Sequence, residues 1–254
     1  MTEPEAFRYL LYGYLAVAAL TFPVLFFITA PYGRHGAESK WPTVSATLGW
    51  VVMESPSALV MLGCCFFGTH EGDPARLALL ALWELHYLNR AYVFPFRMRG
   101  ANKRMPILVM LSAFTFTSIN TYLNGRWLFT LSPAAYGTAW LSDPRFIVGA
   151  ALFLLGFAIN LHADQVLFNL RKPGEVGYKI PRGGLYEWVS CPNYFGEILE
   201  WGGFAIAAWS LPALGFVLWT IANLLPRAVA HHRWYREKFP DYPSRRRALV
   251  PLIL

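Results

Sequence analysis

Charge is scarce in this chain. Asp, Glu, Lys and Arg make up 15% of its 254 residues, against about 25% in an ordinary soluble domain. Cysteine is rarer still, with Cys64, Cys65 and Cys191 the full complement. The first two are adjacent in an apolar run, where a helix would point them in different directions. No CxxC and no HExxH occurs, so neither a disulfide framework nor a zinc site is expected. Also missing are GxGxxG after a strand and GxxxxGKS/T. Any nucleotide must therefore be held by helices and loops, not by a Rossmann unit. No N-x-S/T acceptor is present.

Apolar residues are abundant: 56% are hydrophobic and 17% aromatic. This composition points to an integral membrane protein. The net charge of +7 does not indicate nucleic acid, because the basic residues sit between apolar runs and form no stripe on a polar domain. A spanning helix needs about 20 apolar residues. Such runs lie near 7–29, 46–68, 76–96, 106–130, 145–169, 198–210 and 212–234. The first is too long for a signal-peptide core and has no clear cleavage site, so it reads as a retained helix. Leu211-Pro212 reads as a tight turn between the last two runs. The expectation is an all-α fold: one seven-helix membrane domain over residues 1–254, with no separate soluble domain and no internal repeat.

The basic residues orient this bundle. Arg8, Arg76, Arg126 and Arg145 would lie on one face, and Arg90 within a span. The other face would collect Arg34 and Lys40, the 97–104 and 171–182 clusters, and the seven basic residues from Arg227 onward. The positive-inside rule then places the N-terminus outside and the C-terminus in the cytoplasm. The expected location is a multi-pass integral membrane protein, in a bacterial inner membrane or the endoplasmic reticulum according to source.

Ionisable residues inside spans are costly and are functional candidates by default. Glu54 lies in WVVMESPSALV, two residues before Pro56. It could pair with a basic residue to hold the bundle, or it could be a protonated carboxyl that donates a hydrogen bond in an apolar pocket. In WELHYLNRAYVF, Glu84, Tyr87 and Arg90 follow at i, i+3, i+6 and share one helix stripe. Beside a carboxyl and an arginine, Tyr87 reads as a proton donor. Asn160 and Asp164 are one turn apart, with Arg171 seven residues on and expected on nearly the same face. Arg227, His231 and Tyr235 form a second stripe at i, i+4, i+8. Either stripe alone could be interfacial snorkelling. Their coincidence with Asn193 and Glu197 near the same membrane face points to a polar ligand. Pro192 suits a first helical turn, and the free N–H groups there favour an anion. His231 and His232 point two ways and lack metal-ligand spacing.

These residues resemble the membrane steroid 5-alpha-reductases over nearly the whole chain. The likeness rests on YGRH at 32–35, WVVMESPS at 50–57, HYLNR at 86–90, NLHAD at 160–164, LRKPGEVGYKIPRGGLYEWVS at 170–190, NYFGEILEW at 193–201, WSLPAL at 209–214 and the ending HHRWYREKFPDYPSRRRALVPLIL. It implies seven helices, NADPH bound at the cytoplasmic side, and reduction of the C4–C5 double bond of a 3-oxo-Δ4 steroid. Glu54 and Tyr87 would then hold the steroid 3-keto oxygen. Asn160, Asp164, Arg171, Asn193, Glu197, Arg227, His231 and Tyr235 would contact the cofactor, with Arg90 a neighbour of cofactor or substrate. Lys179 stands where some members have arginine; lysine keeps the charge but loses the bidentate fork for a phosphate. The stretch RGANKRMP at 99–106 is longer than the corresponding family loop. The partners so implied are a lipophilic steroid and membrane lipids, with no nucleic acid and no obligate protein partner.

Other readings remain at this level. An integral-membrane methyltransferase would need S-adenosylmethionine instead of NADPH. A related reductase could act on another lipid enone. A non-catalytic lipid binder would leave Glu54, Tyr87 and the clustered polar stripes unexplained. A transporter is disfavoured by the lack of inverted repeats.

Overall fold

The structure, a computed structural model, describes residues 1–28, 41–98, 104–132, 136–172, 175 and 177–254. The YGRH stretch and the basic residues Arg34, Lys40, Arg99 and Lys103 lie outside the described residues. Helices dominate: α1 Glu3–Phe27, α2 Ala46–Phe66, α3 Pro74–Tyr92, the single turn α4 Phe94–Arg97, α5 Ile107–Arg126, α6 Pro144–Asn169, α7 Pro192–Ala208 and α8 Leu211–Lys238. A two-stranded antiparallel ribbon, β1 Thr43–Ser45 and β2 Arg104–Pro106, pairs Val44 with Met105 ahead of α2 and α5.

Local chemistry sets the helix starts. Asp73 accepts from Ala75 N–H (3.1 Å) and Asp143 from Arg145 N–H (2.8 Å), each followed by a proline in the first turn. The expected turn at Leu211-Pro212 falls slightly earlier. Trp209 adopts the left-handed region at φ 42, Ser210 Oγ accepts from Ala213 N–H (3.3 Å), and Leu211 and Pro212 open α8. The run expected over 76–96 is likewise divided. α3 ends at Tyr92 and α4 begins at Phe94, because Pro95 has no N–H and restrains the residue before it.

Among the described residues, five helical segments are long and apolar enough to cross a membrane: α1, α2, Ile107–Leu131 (α5 continued through a wider π-helical turn), α6 and α8. The chain is a multi-pass membrane protein. The other two long helices, α3 (19 residues) and α7 (17 residues), carry ionisable residues within their length, Glu84, His86 and Arg90 on the first and Glu197 and Glu200 on the second. Apolar side chains such as Tyr9, Leu20, Leu59, Leu154, Leu155 and Leu218 face outward, as a lipid-facing surface requires.

The core is aromatic. Trp83, Trp201, Phe153 and Phe204 are fully buried. Trp83 and Trp201 rings stand 5.2 Å apart, and Trp201 and Phe216 4.4 Å. Trp83 Nε1–H donates to Ser57 O at 2.8 Å, tying α3 to α2. The closest helix pair is α6 with α7, which run antiparallel. A Cβ on Gly156 would stand 2.7 Å from Glu200 Cα, and one on Gly203 2.5 Å from Gly149 O. Small residues let the two backbones touch, the usual device where lipid removes the hydrophobic drive for association. This contact brings the last turns of α6 against the first turns of α7.

Candidate active site

Glu54 on α2 and Tyr87 on α3 are near enough to interact electrostatically, with the Ser57 hydroxyl beside Tyr87. Tyr87 is buried among Trp83 (5.0 Å between ring centroids), His86 (4.9 Å) and Trp201 (5.5 Å). The fully buried Ser57 lies against Tyr87. Thr117 of α5 donates to Met53 O at 2.7 Å, fixing the backbone just before Glu54. The Tyr87 hydroxyl thus sits in an apolar, aromatic wall.

One turn beyond Tyr87, the Arg90 guanidinium lies over Trp50 and Phe94, 4.7 Å from each ring centroid. Its Nη1 is 3.9 Å from Asp164 Oδ2 and its Nη2 3.8 Å from Glu197 Oε2. Both separations exceed hydrogen-bond length. Arg90 therefore joins three helices electrostatically, and among the described residues its donors make no hydrogen bond to either carboxylate.

The α6–α7 contact assembles the next group. Asn160 Nδ2 donates to Asn193 O at 3.0 Å, and Asn193 Nδ2 to Asp164 Oδ1 at 3.3 Å. Tyr194 then reaches α8: Arg227 Nε donates to its hydroxyl at 3.1 Å, and His231 Nε2 lies 3.3 Å from that oxygen. Tyr235, one turn further, stacks on Tyr242 at 5.3 Å with an interplanar angle of 10°. His231 and His232 do point two ways, His232 Nδ1 meeting Ser190 Oγ at 2.7 Å. Polar groups thus follow one another from Glu54 and Tyr87 to Arg90 with Glu197 and Asp164, then to Asn193 and Asn160, and, from the residue after Asn193, to Tyr194 with Arg227 and His231.

Arg171 lies two residues beyond Asn169, the last residue of α6, and its Nη1 donates to Gly177 O at 3.2 Å. The exposed Lys179 Nζ donates to Glu175 Oε2 at 2.5 Å, and this bond holds the Glu175 carboxyl below its ordinary range. Glu84 does not join Tyr87 and Arg90 in the network: its two carboxylate oxygens find no hydrogen-bond partner among the described residues. Arg104 is engaged in the ribbon, donating to Thr43 Oγ1 at 3.0 Å and Thr43 O at 2.6 Å.

The C-terminal tail closes the polar end. Ser190 N–H donates to Arg247 O at 2.8 Å and Arg247 N–H to Trp188 O at 2.9 Å. Ser190 Oγ also meets Tyr242 Oη at 2.7 Å. The buried Arg246 lies 3.6 Å from Glu187.

This donor set fits a phosphate-bearing dinucleotide. Guanidinium, amide, imidazole and phenol groups suit phosphate and carboxamide oxygens, and Asp164 and Glu197 can accept from hydroxyl or amide hydrogens. The uncommitted Arg90 donors, between two carboxylates but bonded to neither, are the local sign that the network is incomplete without a ligand. Sequence reasoning missed four participants: Trp50, His86, Tyr194 and Glu200. All four fall in quoted motifs, yet only three-dimensional packing shows what each touches.

Comparisons with known proteins identify the chain's relatives. The family model described as 3-oxo-5-alpha-steroid 4-dehydrogenase matches residues 103–254. Over 243 residues the chain is 45% identical to 3-oxo-5-alpha-steroid 4-dehydrogenase 1 of Bos taurus, spanning 94% of this chain and 93% of that protein. It is 43% identical to the corresponding protein of Mus musculus over 244 residues, or 95% and 94% of the two chains. A steroid 5-alpha-reductase of Gossypium hirsutum is 42% identical over 256 residues, covering 99% of each chain.

Proposed function

The chain belongs to the 3-oxo-5-alpha-steroid 4-dehydrogenase family, and on that premise we propose that it is an NADPH-dependent reductase of the C4–C5 double bond of 3-oxo-Δ4 steroids. The observation that carries this reading is the polar chain just described. It begins at a carboxyl and a phenol in an aromatic wall and ends at a cationic, amide-rich mouth.

Each end has its task. Glu54, protonated, and Tyr87 hydrogen-bond the 3-keto oxygen and polarise the enone. As C5 gains a hydride, the double-bond electrons move toward that oxygen, and both donors strengthen where charge develops. A proton then enters at C4 to complete the saturated ketone. NADPH, when bound, supplies the hydride. Arg90, Asn160, Asp164, Arg171, Lys179, Asn193, Glu197, Arg227, His231 and Tyr235 would hold it. The aromatic wall of Trp83, Trp201 and Phe204 excludes water, which strengthens the polar contacts inside. An apolar bundle also offers a lipophilic substrate a route from the bilayer.

The test is NADPH consumption by the purified protein with progesterone, testosterone and androstenedione, with product stereochemistry determined. Formation of the 5α product supports the reading; no turnover with any Δ4-3-ketosteroid overturns it. We place the N-terminus outside and the C-terminus in the cytoplasm on the charge distribution. A C-terminal reporter active only in the periplasm or lumen would refute that topology.

A further inference from the structure

Two fully enclosed ionisable side chains have no role in the mechanism above. His86 Nδ1 and Glu200 Oε1 are 2.8 Å apart, and the residues are 4% and 0% exposed. Glu200 Oε2 has no hydrogen-bond partner among the described residues. The pair sits among aromatic rings: His86 lies 4.7 Å from Trp201, 4.9 Å from Tyr87 and 6.3 Å from Phe157. The separation is that of a hydrogen bond, in which the ring tautomer sets whether Nδ1 donates or accepts.

Its place in the fold gives it meaning. His86 is four residues before Arg90 on α3, and Glu200 is three residues after Glu197 on α7. His86–Glu200 and Arg90–Glu197 are therefore consecutive rungs between two antiparallel helices. One rung is closed at 2.8 Å, the other open at 3.8 Å. Tyr87 is the residue next to the closed rung. Rings of the same two helices pack beside these rungs, Trp201 lying 5.2 Å from Trp83 and 5.5 Å from Tyr87, but ring packing is non-directional and the closed hydrogen bond is the directional contact that fixes the register.

We propose that His86 and Glu200 are a positioning pair. Their bond sets the axial register of α3 against α7, and so fixes the Tyr87 hydroxyl, which grips the substrate, relative to Arg90 and Glu197, which face the cofactor. This inference rests on the reductase reading. Hydride transfer depends steeply on the separation and alignment of the two reactants, so a small slip of α3 lowers kcat more than it lowers either affinity.

Removing one member of a buried pair strands the other and destabilises the fold, whereas an apolar pair of similar volume is often tolerated. The decisive variant is therefore the double substitution His86→Phe with Glu200→Leu. Thermal unfolding, NADPH binding (quenching of tryptophan emission) and steady-state kinetics with progesterone are measured on the purified protein. The expected result is a melting temperature within about 4 °C of wild type, NADPH affinity within about threefold, and a kcat lowered roughly 10- to 100-fold. A folded double variant with wild-type kcat overturns the proposal, as does one whose only defect is weaker NADPH binding. Should the double variant not fold, His86→Asn, whose amide can replace Nδ1, is compared with His86→Ala. Near-normal kcat in the first and loss in the second supports the proposal; equal kcat in both refutes it. A wild-type protein without reductase activity would instead sink the reductase reading, so the two failures are separable.

Discussion

Asn160 on α6 donates its amide hydrogen to the backbone carbonyl of Asn193 on α7 at 3.0 Å. The bond closes the polar end of a helix pair whose backbones touch along Gly149, Gly156, Gly196 and Gly203. It leaves the Asn193 amide free to turn toward Asp164. A stripe of small residues thereby positions the polar groups proposed to hold the cofactor.

That dependence makes Gly156→Ala informative. The new Cβ would fall 2.7 Å from Glu200 Cα, inside contact distance with backbone that has no side-chain torsion to relieve it. We expect a stability loss of about 1–3 kcal/mol from overpacking, together with weaker NADPH binding as Asn160 and Asn193 part. Thermal unfolding and NADPH titration would check both; an unchanged melting temperature would show that α6 and α7 separate freely.

Glu54→Leu removes a candidate donor to the ketone. The expected cost is roughly 10²–10³ in kcat, the usual worth of one oxyanion donor. Glu54→Gln keeps an N–H donor and should lose less. Steady-state assays on folded protein decide the matter, and wild-type turnover by Glu54→Leu would refute the role.

Asp164→Ala should act at the other end. It removes the acceptor of the Asn193 amide and one of the carboxylates flanking Arg90. NADPH affinity is expected to fall by about tenfold or more, the scale of a charged hydrogen bond, with steroid KM little changed. Equal losses for both ligands would contradict a pocket with two distinct ends. Titration with S-adenosylmethionine in parallel should give no response.

The tail clasp carries a pH signature. Glu187 accepts from Gly183 N–H at 2.8 Å, and this bond, with Arg246 and Arg182 nearby, holds its carboxyl below the ordinary 4.5. A depressed carboxylate contributes stability that is fully present above the unfolded value and is lost as pH falls through the folded one. The melting temperature should therefore fall on acidification below about pH 4.5, and Glu187→Gln should flatten part of that slope. Identical slopes for variant and wild type would exclude Glu187 as a contributor.

Much of the site was legible in the sequence because membrane spans leave little room for accidental polarity. Glu54, Tyr87 and Arg90 stood out against apolar neighbours, and the stripes at Asn160–Asp164 and Arg227–His231–Tyr235 followed helical spacing. Helical spacing also has limits. α6 ends two residues short of Arg171, and Glu84, which shares the α3 stripe with Tyr87 and Arg90, finds no hydrogen-bond partner among the described residues. Periodicity says which residues share a helix face, but not where the helix stops or which neighbour that face meets.

Composition, hydropathy and charge were thus sufficient for an apolar helical bundle with a polar end, since lipid forces every backbone bond to be satisfied within a helix. Only the tertiary structure decided the pairings: His86 with Glu200, Tyr194 with both Arg227 and His231, and Arg90 between Asp164 and Glu197. The physical reason is range. Helix formation is local along the chain, whereas these contacts join residues 33 to 114 positions apart and exist only once glycine faces let the helices close.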